Sequence, residues 1–335
     1  MSKSRNASLF APLALLGSIG LGYAGARALL GLTPGADDDF FDWKGPTEKG
    51  VDVGSARVDL PINYYRDDTF AALFSAALEP VRAALPSPRL HPVTLPGRRA
   101  VVVVAALNYF ETDIGPYGEV AIAVPCVYGQ EAPPLLPLLL EARYPGWGAF
   151  VLHLPVTSRV ARDGGRAIFG FTKFVSDMAF EKRPAYQRVR LSEGDSHILT
   201  LTVRQQGLLL KDNRPLVTYS VCDGQVLRTT APSHAVYQVG LLPESGTLEL
   251  GDHPVANDLR QLEVGTSTWL TKNYLTRYGI LPPGEPVGPA SRPHVGHIGE
   301  NRTYGKLTVS YNGDEVVDLY AGLRAGPDIP DIKES

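Results

Sequence analysis

The sequence predicts a mainly β fold of the α+β class, built as a barrel or a wrapped antiparallel sheet with a few short helices. Three observations predict it. Short apolar runs, several alternating with polar residues, recur along the chain; turn residues such as Asp223-Gly224 separate them; and few stretches carry apolar residues at helical spacing. With 335 residues and 44% hydrophobic content, such a chain can bury a sizeable core without staples.

The elements follow in order. Lys3 and Arg5 precede an uncharged run, residues 7–26, ending in Ala24-Gly25-Ala26. A run of that length is just enough for a membrane helix of about 20 residues. The expectation is a membrane anchor, with a cleaved signal segment second and an apolar helix packed on the domain third. Anchor or signal would place the main domain outside the cytoplasm; without a targeting role the chain is cytoplasmic. Residues 33–56, rich in Pro, Gly and Asp, read as a linker. The main domain is expected over 57–290, and 291–335 form a C-terminal extension.

Val58, Leu60, Ile62 and Tyr64 alternate as in a half-buried strand. Asp67 or Asp68 then suits a helix cap, before Phe70, Leu73, Phe74, Ala77 and Leu78 at helical spacing, with Pro80 expected to bend or end the helix. Strands are expected at 99–110, 118–128, 147–156, 174–181, 187–193, 196–204, 215–222 and 225–232, and short helices at 163–170 and 254–262. Asn312-Gly313 marks a hairpin turn, since type I′ turns need two residues at positive φ. That last hairpin extends the sheet or mediates self-association into a homo-oligomer. Residues 135–147 form an apolar insert suited to core packing, to covering the barrel mouth or to touching a membrane.

A net charge of -3 with no basic run argues against nucleic acid. Cys126 and Cys222 lie far apart in apolar runs and read as buried thiols. His294 and His297 stand in a Gly/Pro-rich loop rather than on a metal-binding helix, and there is no phosphate-binding loop or dinucleotide fingerprint. No metal or cofactor is expected.

Two segments can carry chemistry. In "GGRAIFGFTKF", residues 164–174, Lys173 sits among aromatics and aliphatics with no acid nearby in the segment. An apolar setting disfavours the ammonium form of an amine, and a neutral amine can attack a ketone to form a Schiff base, an electron sink. The simpler alternative is a lysine that reaches water along its stem. In "NYFETDIGPYGEVAIAVP", residues 108–125, Glu119 opens a strand after a Gly-Pro turn, in an otherwise apolar register. A carboxylate there is ordinarily solvent-facing.

Taken together and in order, these segments resemble the acetoacetate decarboxylase family and its wider superfamily. The family's segment for the Schiff-base lysine appears as Gly165-Arg166-Ala167-Ile168-Phe169-Gly170-Phe171-Thr172-Lys173-Phe174, and its glutamate segment as Gly115-Pro116-Tyr117-Gly118-Glu119. "YYRDD" (64–68) and "GDHPVANDL" (251–259) match further pieces, so the likeness spans roughly 57–285. It implies an acetoacetate decarboxylase-like barrel with Lys173 as nucleophile and Glu119 positioning substrate or relaying protons. It further implies Arg57 as the substrate-gripping arginine, with Tyr117, Phe171 and Phe174 as pocket walls. The implied ligand is a small keto acid, and the implied reaction is decarboxylation or related carbon–carbon cleavage.

Departures stand at three places: Phe174 replaces a second lysine, Thr172 replaces a proline, and Val104 replaces a second acid. They leave a less polar pocket, which disfavours acetoacetate itself and favours a bulkier or less charged keto substrate. Aldol or dehydration chemistry on an α-keto acid through the same lysine is an alternative. So is a non-catalytic barrel holding an apolar ligand, with Lys173 as a relic. Arg166 suits a structural tie to a carboxylate or to carbonyls.

Overall fold

In the computed structural model, residues 39–241, 243–314 and 316–320 are described. β1 (Glu48–Asp52) and β2 (Arg57–Leu60) pair as an antiparallel hairpin, so part of the expected linker is strand. β3 (Ile62–Ala77) is one strand of 16 residues, followed by helix α1 (Leu78–Ala84). The helix expected to begin after Asp68 is therefore strand up to Ala77. Phe70, Phe74 and Leu73 are all buried because β3 has a sheet neighbour on each edge and packing on both faces. Apolar residues on both faces of such a strand mimic helical spacing. Pro80 lies in the first turn of α1, where a missing N–H costs little, and does not end the helix.

β4 (Leu90–Pro92) and β5 (Thr94–Leu95) lead into β6 (Arg99–Thr112) and β7 (Tyr117–Tyr128), a long antiparallel pair. The insert then forms a short helix, α2 (Leu136–Leu139), and a 3-10 turn. There Leu138 packs against the small apolar cluster around Leu73 and Val101, while Leu139 is exposed. β8 (Trp147–His153) is followed by α3 (Arg159–Phe169). The remaining strands are β9 (Asp177–Lys182), β10 (Tyr186–Glu193), β11 (Ser196–Arg204), β12 (Leu208–Asp212), β13 (Leu216–Cys222), β14 (Gln225–Ala231), β15 (Ser233–Gly240) and β16 (Gly246–Leu250). Helix α4 (Pro254–Gln261) precedes β17 (Leu270–Leu281), β18 (Glu285–Pro289), β19 (Leu307–Tyr311) and β20 (Val317–Asp318).

The larger sheet runs β12-β15-β17-β3-β6-β7-β8-β13-β14-β18, with β4 and β5 added beside β7 and β6. A second sheet runs β16-β11-β10-β9-β19-β20. Neither order closes on itself, so the expected barrel is corrected to open, wrapped sheets. Most pairs are antiparallel, but β8 with β13 and β9 with β19 are parallel. The main apolar core draws on both sheets, with Val104, Ile122 and Phe150 of the larger and Val189, Leu201 and Leu307 of the smaller fully buried. The final hairpin turns at Asn312-Gly313 with φ of 50° and 90°, as its sequence requires.

The expected membrane anchor, and the exported location and membrane partner that rested on it, are withdrawn. Among the described residues no helix is long and apolar enough to cross a membrane. The run 7–26 that prompted the expectation lies outside the described residues.

Candidate active site

Lys173 acquires an acid partner from a distant strand. The extended residues after β8 lie between two other segments: Glu119 of β7 bridges Val156, and Val156 bridges Val175 in parallel. Val120 N–H donates to the Pro155 carbonyl, and Val156 N–H to that of Phe174. α3 makes the connection between the two parallel segments and buries Ala161, Gly164, Gly165 and Phe169, a helical stripe facing the core. Three neighbouring stretches of backbone thus bring two residues far apart in sequence together.

The lysine Nζ donates to Glu119 Oε2 at 2.7 Å, and the residues are only 5% and 8% exposed. Each charge is satisfied by the other, which answers how an ammonium is tolerated in an apolar segment. The Tyr117 ring centroid lies 5.5 Å from Nζ and that of Phe171 6.0 Å, so both aromatics flank the cation. Gly165 is a close-approach position: a Cβ there would meet Lys173 Cε at 2.8 Å, so any larger residue has to displace the lysine stem.

Two tyrosines missed in the sequence complete the setting. Tyr109 pairs directly across from Tyr117 in the β6–β7 ladder, and its hydroxyl donates to Glu119 Oε1 at 3.3 Å. Tyr64 shares a hydrogen bond of 3.1 Å with the Tyr117 hydroxyl. Burial, followed by the Glu119 charge, pushes the Tyr64 phenol up, and burial does the same for Tyr109 and Tyr117. All three stay neutral O–H groups beside a carboxylate. A symmetric turn over 113–116 would have set Thr112, not Tyr109, opposite Tyr117, so the sequence carried no register signal for it.

The cavity beside the amine is lined by Val58, Ile62, Ile114, Val160, Phe169 and Leu281 together with Tyr64 and the α3 glycines. At about 10 Å³ it is water-sized, so anything larger has to part these walls. Arg57 is exposed on β2, and it is its neighbour Val58 that reaches the cavity. A second, half-buried cation, Arg277 of β17, is engaged by the buried Asp67 at 2.7 Å. Asp67 is therefore an ion-pair partner rather than the expected cap. Burial raises its carboxyl, against the pull of Arg277.

Phe174 turns away from the amine. Its ring meets His297 edge-on at 4.7 Å and stacks on His253 at 6.3 Å. Those histidines and Glu193 place three potential metal-ligand atoms within 4.8 Å of one another. The proton inventory accounts for them otherwise. His253 Nδ1 accepts from Val255 N–H as the cap of α4, so its neutral ring carries the proton on Nε2 and donates to Glu193 Oε2 at 3.0 Å. A metal on Nε2 would place an Nδ1–H against the Val255 N–H. His297 Nε2 donates to the same oxygen at 2.7 Å, and the Glu300 N–H to Oε1 at 2.7 Å. Burial alone would raise the Glu193 carboxyl; these three donors outweigh it and hold it below the usual range. The thiols are ordinary: Cys126, buried, has its pKa pushed up to about 12, and neither cysteine is paired.

A family model described as "Acetoacetate decarboxylase (ADC)" matches residues 52–280, more than half of the chain. Among solved structures, an acetoacetate decarboxylase from Legionella pneumophila is similar with a TM-score of 0.54 at 18% identity, covering 75% of this chain and 95% of that one. A second acetoacetate decarboxylase gives 0.52 at 17%, covering 68% and 90%. The enduracididine biosynthesis enzyme MppR, in complex with the condensation product of pyruvate and imidazole 4-carboxaldehyde, gives 0.51 at 15%, covering 68% and 89%. At these identities the likeness is one of fold. No curated protein matches the chain.

Proposed function

The chain belongs to the acetoacetate decarboxylase family, and on that premise we propose that it is a Schiff-base lyase acting on a keto acid, with Lys173 as nucleophile. The buried 2.7 Å contact between Lys173 and Glu119 carries this reading. Glu119 takes the ammonium proton, and the freed amine attacks the ketone carbon. The carbinolamine hydroxyl takes that proton back from Glu119 and leaves as water, giving a protonated imine. The electron pair of the adjacent C–C bond to the carboxylate then flows into it, releasing carbon dioxide. A proton from solvent, relayed by Glu119, adds to the enamine carbon, and water frees the ketone and the lysine. Tyr109 steadies the carboxylate throughout. The apolar lining suits the loss of a charged carboxylate as neutral gas.

A second reading keeps the imine but lets the enamine attack an aldehyde carbon. The fold shared with MppR, whose complex holds a pyruvate condensation product, favours it. Incubation with acetoacetate, pyruvate and longer β-keto acids, followed by borohydride and mass measurement, tests both. A reduced adduct on Lys173 is expected, strongest with the bulkier acids, and absent in Lys173→Ala and in Lys173→Arg, whose guanidinium cannot form an imine. Turnover of acetoacetate is expected to stay far below the roughly 1–10³ per second common for enzymes. Undiminished trapping in either variant overturns the assignment. No adduct with any acid makes this a ligand-binding domain.

A further inference from the structure

We infer that residues 293–304, which lie beyond the family-matched region, form a clasp that positions Lys173, and that Phe174 is its anchor rather than a wall of the pocket. The inference deepens the proposed function and rests on it. The clasp crosses the outer side of the lysine segment. A Cβ at Gly296 would meet Thr172 Cβ at 2.6 Å, and one at Gly299 would meet Glu193 Oε1 at 2.7 Å and Phe174 Cβ at 3.0 Å. Both glycines have positive φ, so the segment presses backbone directly on the two residues that flank the nucleophile.

Side chains close it. Arg166 of α3 donates through Nε to the carbonyl of Lys173 itself and, with its other two nitrogens, to the carbonyls of Val295 at 3.3 Å and His297 at 2.8 Å. One guanidinium thereby ties the lysine backbone to the clasp. His297 holds Glu193 at 2.7 Å while resting edge-on against Phe174, and His294 meets the Leu152 carbonyl at 3.0 Å. Arg302 grips Asp177 at 2.9 Å, and Thr303 accepts the Arg159 N–H at 2.9 Å, so both ends of α3 and the start of β9 are engaged. The family resemblance implies a proline and a second lysine at the positions of Thr172 and Phe174. Here the second of them is a buried aromatic that fastens the nucleophile's main chain. Arg166 and His297 are accordingly positioning residues.

The test uses the full chain in four forms: natural, His297→Ala, His297→Gln and Phe174→Lys. Two rates are read at Lys173 by peptide mass mapping: borohydride trapping with a β-keto acid, and trace acetylation by acetic anhydride across pH, which needs no substrate. His297→Ala is expected to stay folded by circular dichroism yet lose between about tenfold and 10²-fold in trapping. Its acetylation midpoint should also move. His297→Gln, which keeps an N–H for Glu193, should recover most of both. Phe174→Lys should behave as His297→Ala does, without gaining acetoacetate turnover. Unchanged trapping and acetylation in His297→Ala overturns the clasp, as does a loss that glutamine does not rescue. If the natural chain traps no keto acid, the proposed function fails, while an acetylation midpoint that shifts in His297→Ala and returns in His297→Gln still supports the clasp.

Discussion

Glu119 and Lys173 stabilise one another only as a pair. Two buried opposite charges offset each other's lost hydration, and removing one strands the other. Glu119→Gln is expected to cost about 3–5 kcal/mol, read as the fall in unfolding free energy from urea titration, with Lys173→Met similar. The double replacement should cost clearly less than the sum, because no uncompensated charge remains. Additive losses would mean that the two groups do not share a buried pair. Gly165 tests the same pair from the helix. Alanine favours a helix interior over glycine by about 1 kcal/mol, but its Cβ meets the lysine stem at 2.8 Å from Cε and has to push the amine off Glu119. Separating the buried pair outweighs the helical gain, so Gly165→Ala should lower the urea midpoint, and keto-acid trapping should fall steeply with it. A variant that traps normally would show that the stem has room to bend aside.

Among the elements, β3 matters most for the site because it brings Tyr64 beside Tyr117 and shares ladders with both β17 and β6. Ala72 lies at its centre, paired with Thr271 on one side and Val104 on the other. Proline removes an N–H that a central strand needs and is confined to edges. Ala72→Pro is therefore expected to prevent folding, measured as loss of the near-ultraviolet circular dichroism signal. In a helix exposed to solvent the same change would leave the sheets standing, so a folded Ala72→Pro protein would contradict the strand. α3 has a different task. It is short and its first turn has no side-chain cap, but it links two parallel segments and carries Arg166 to the lysine carbonyl.

At the scale of the molecule, Glu193 is a junction where β10, the cap of α4 and the C-terminal clasp meet. Its carboxyl is held below the usual range in the folded chain. Such a group adds stability above the unfolded carboxylate value of about 4.3, and the gain is lost as pH falls through the lower folded value. The stability difference between the natural chain and Glu193→Gln should thus be greatest near about pH 6 and shrink toward about pH 3. A difference that does not change with pH would assign the loss to packing instead.

Taken alone, the sequence determined most of what is local. β6, β7, β10, β11, β13 and β14 lie within a residue or two of their expected places, as do α4 and the Asn312-Gly313 turn, because alternation and turn chemistry act between near neighbours. The ordered motifs around Lys173 and Glu119 were enough to reach the family. The first part of β3 reads as strand, but its second half reads as helix because burial on both faces erases the alternation that marks a strand. β12, β15 and β17 were not anticipated, and their pairings join segments far apart in the chain. Only the tertiary structure decided that Glu119 neutralises Lys173, that Arg57 faces solvent, and that Phe174 turns from the amine toward His253 and His297. Each of those outcomes depends on which distant backbone segment lies alongside, and sheet order sets that, not the residue's own neighbours.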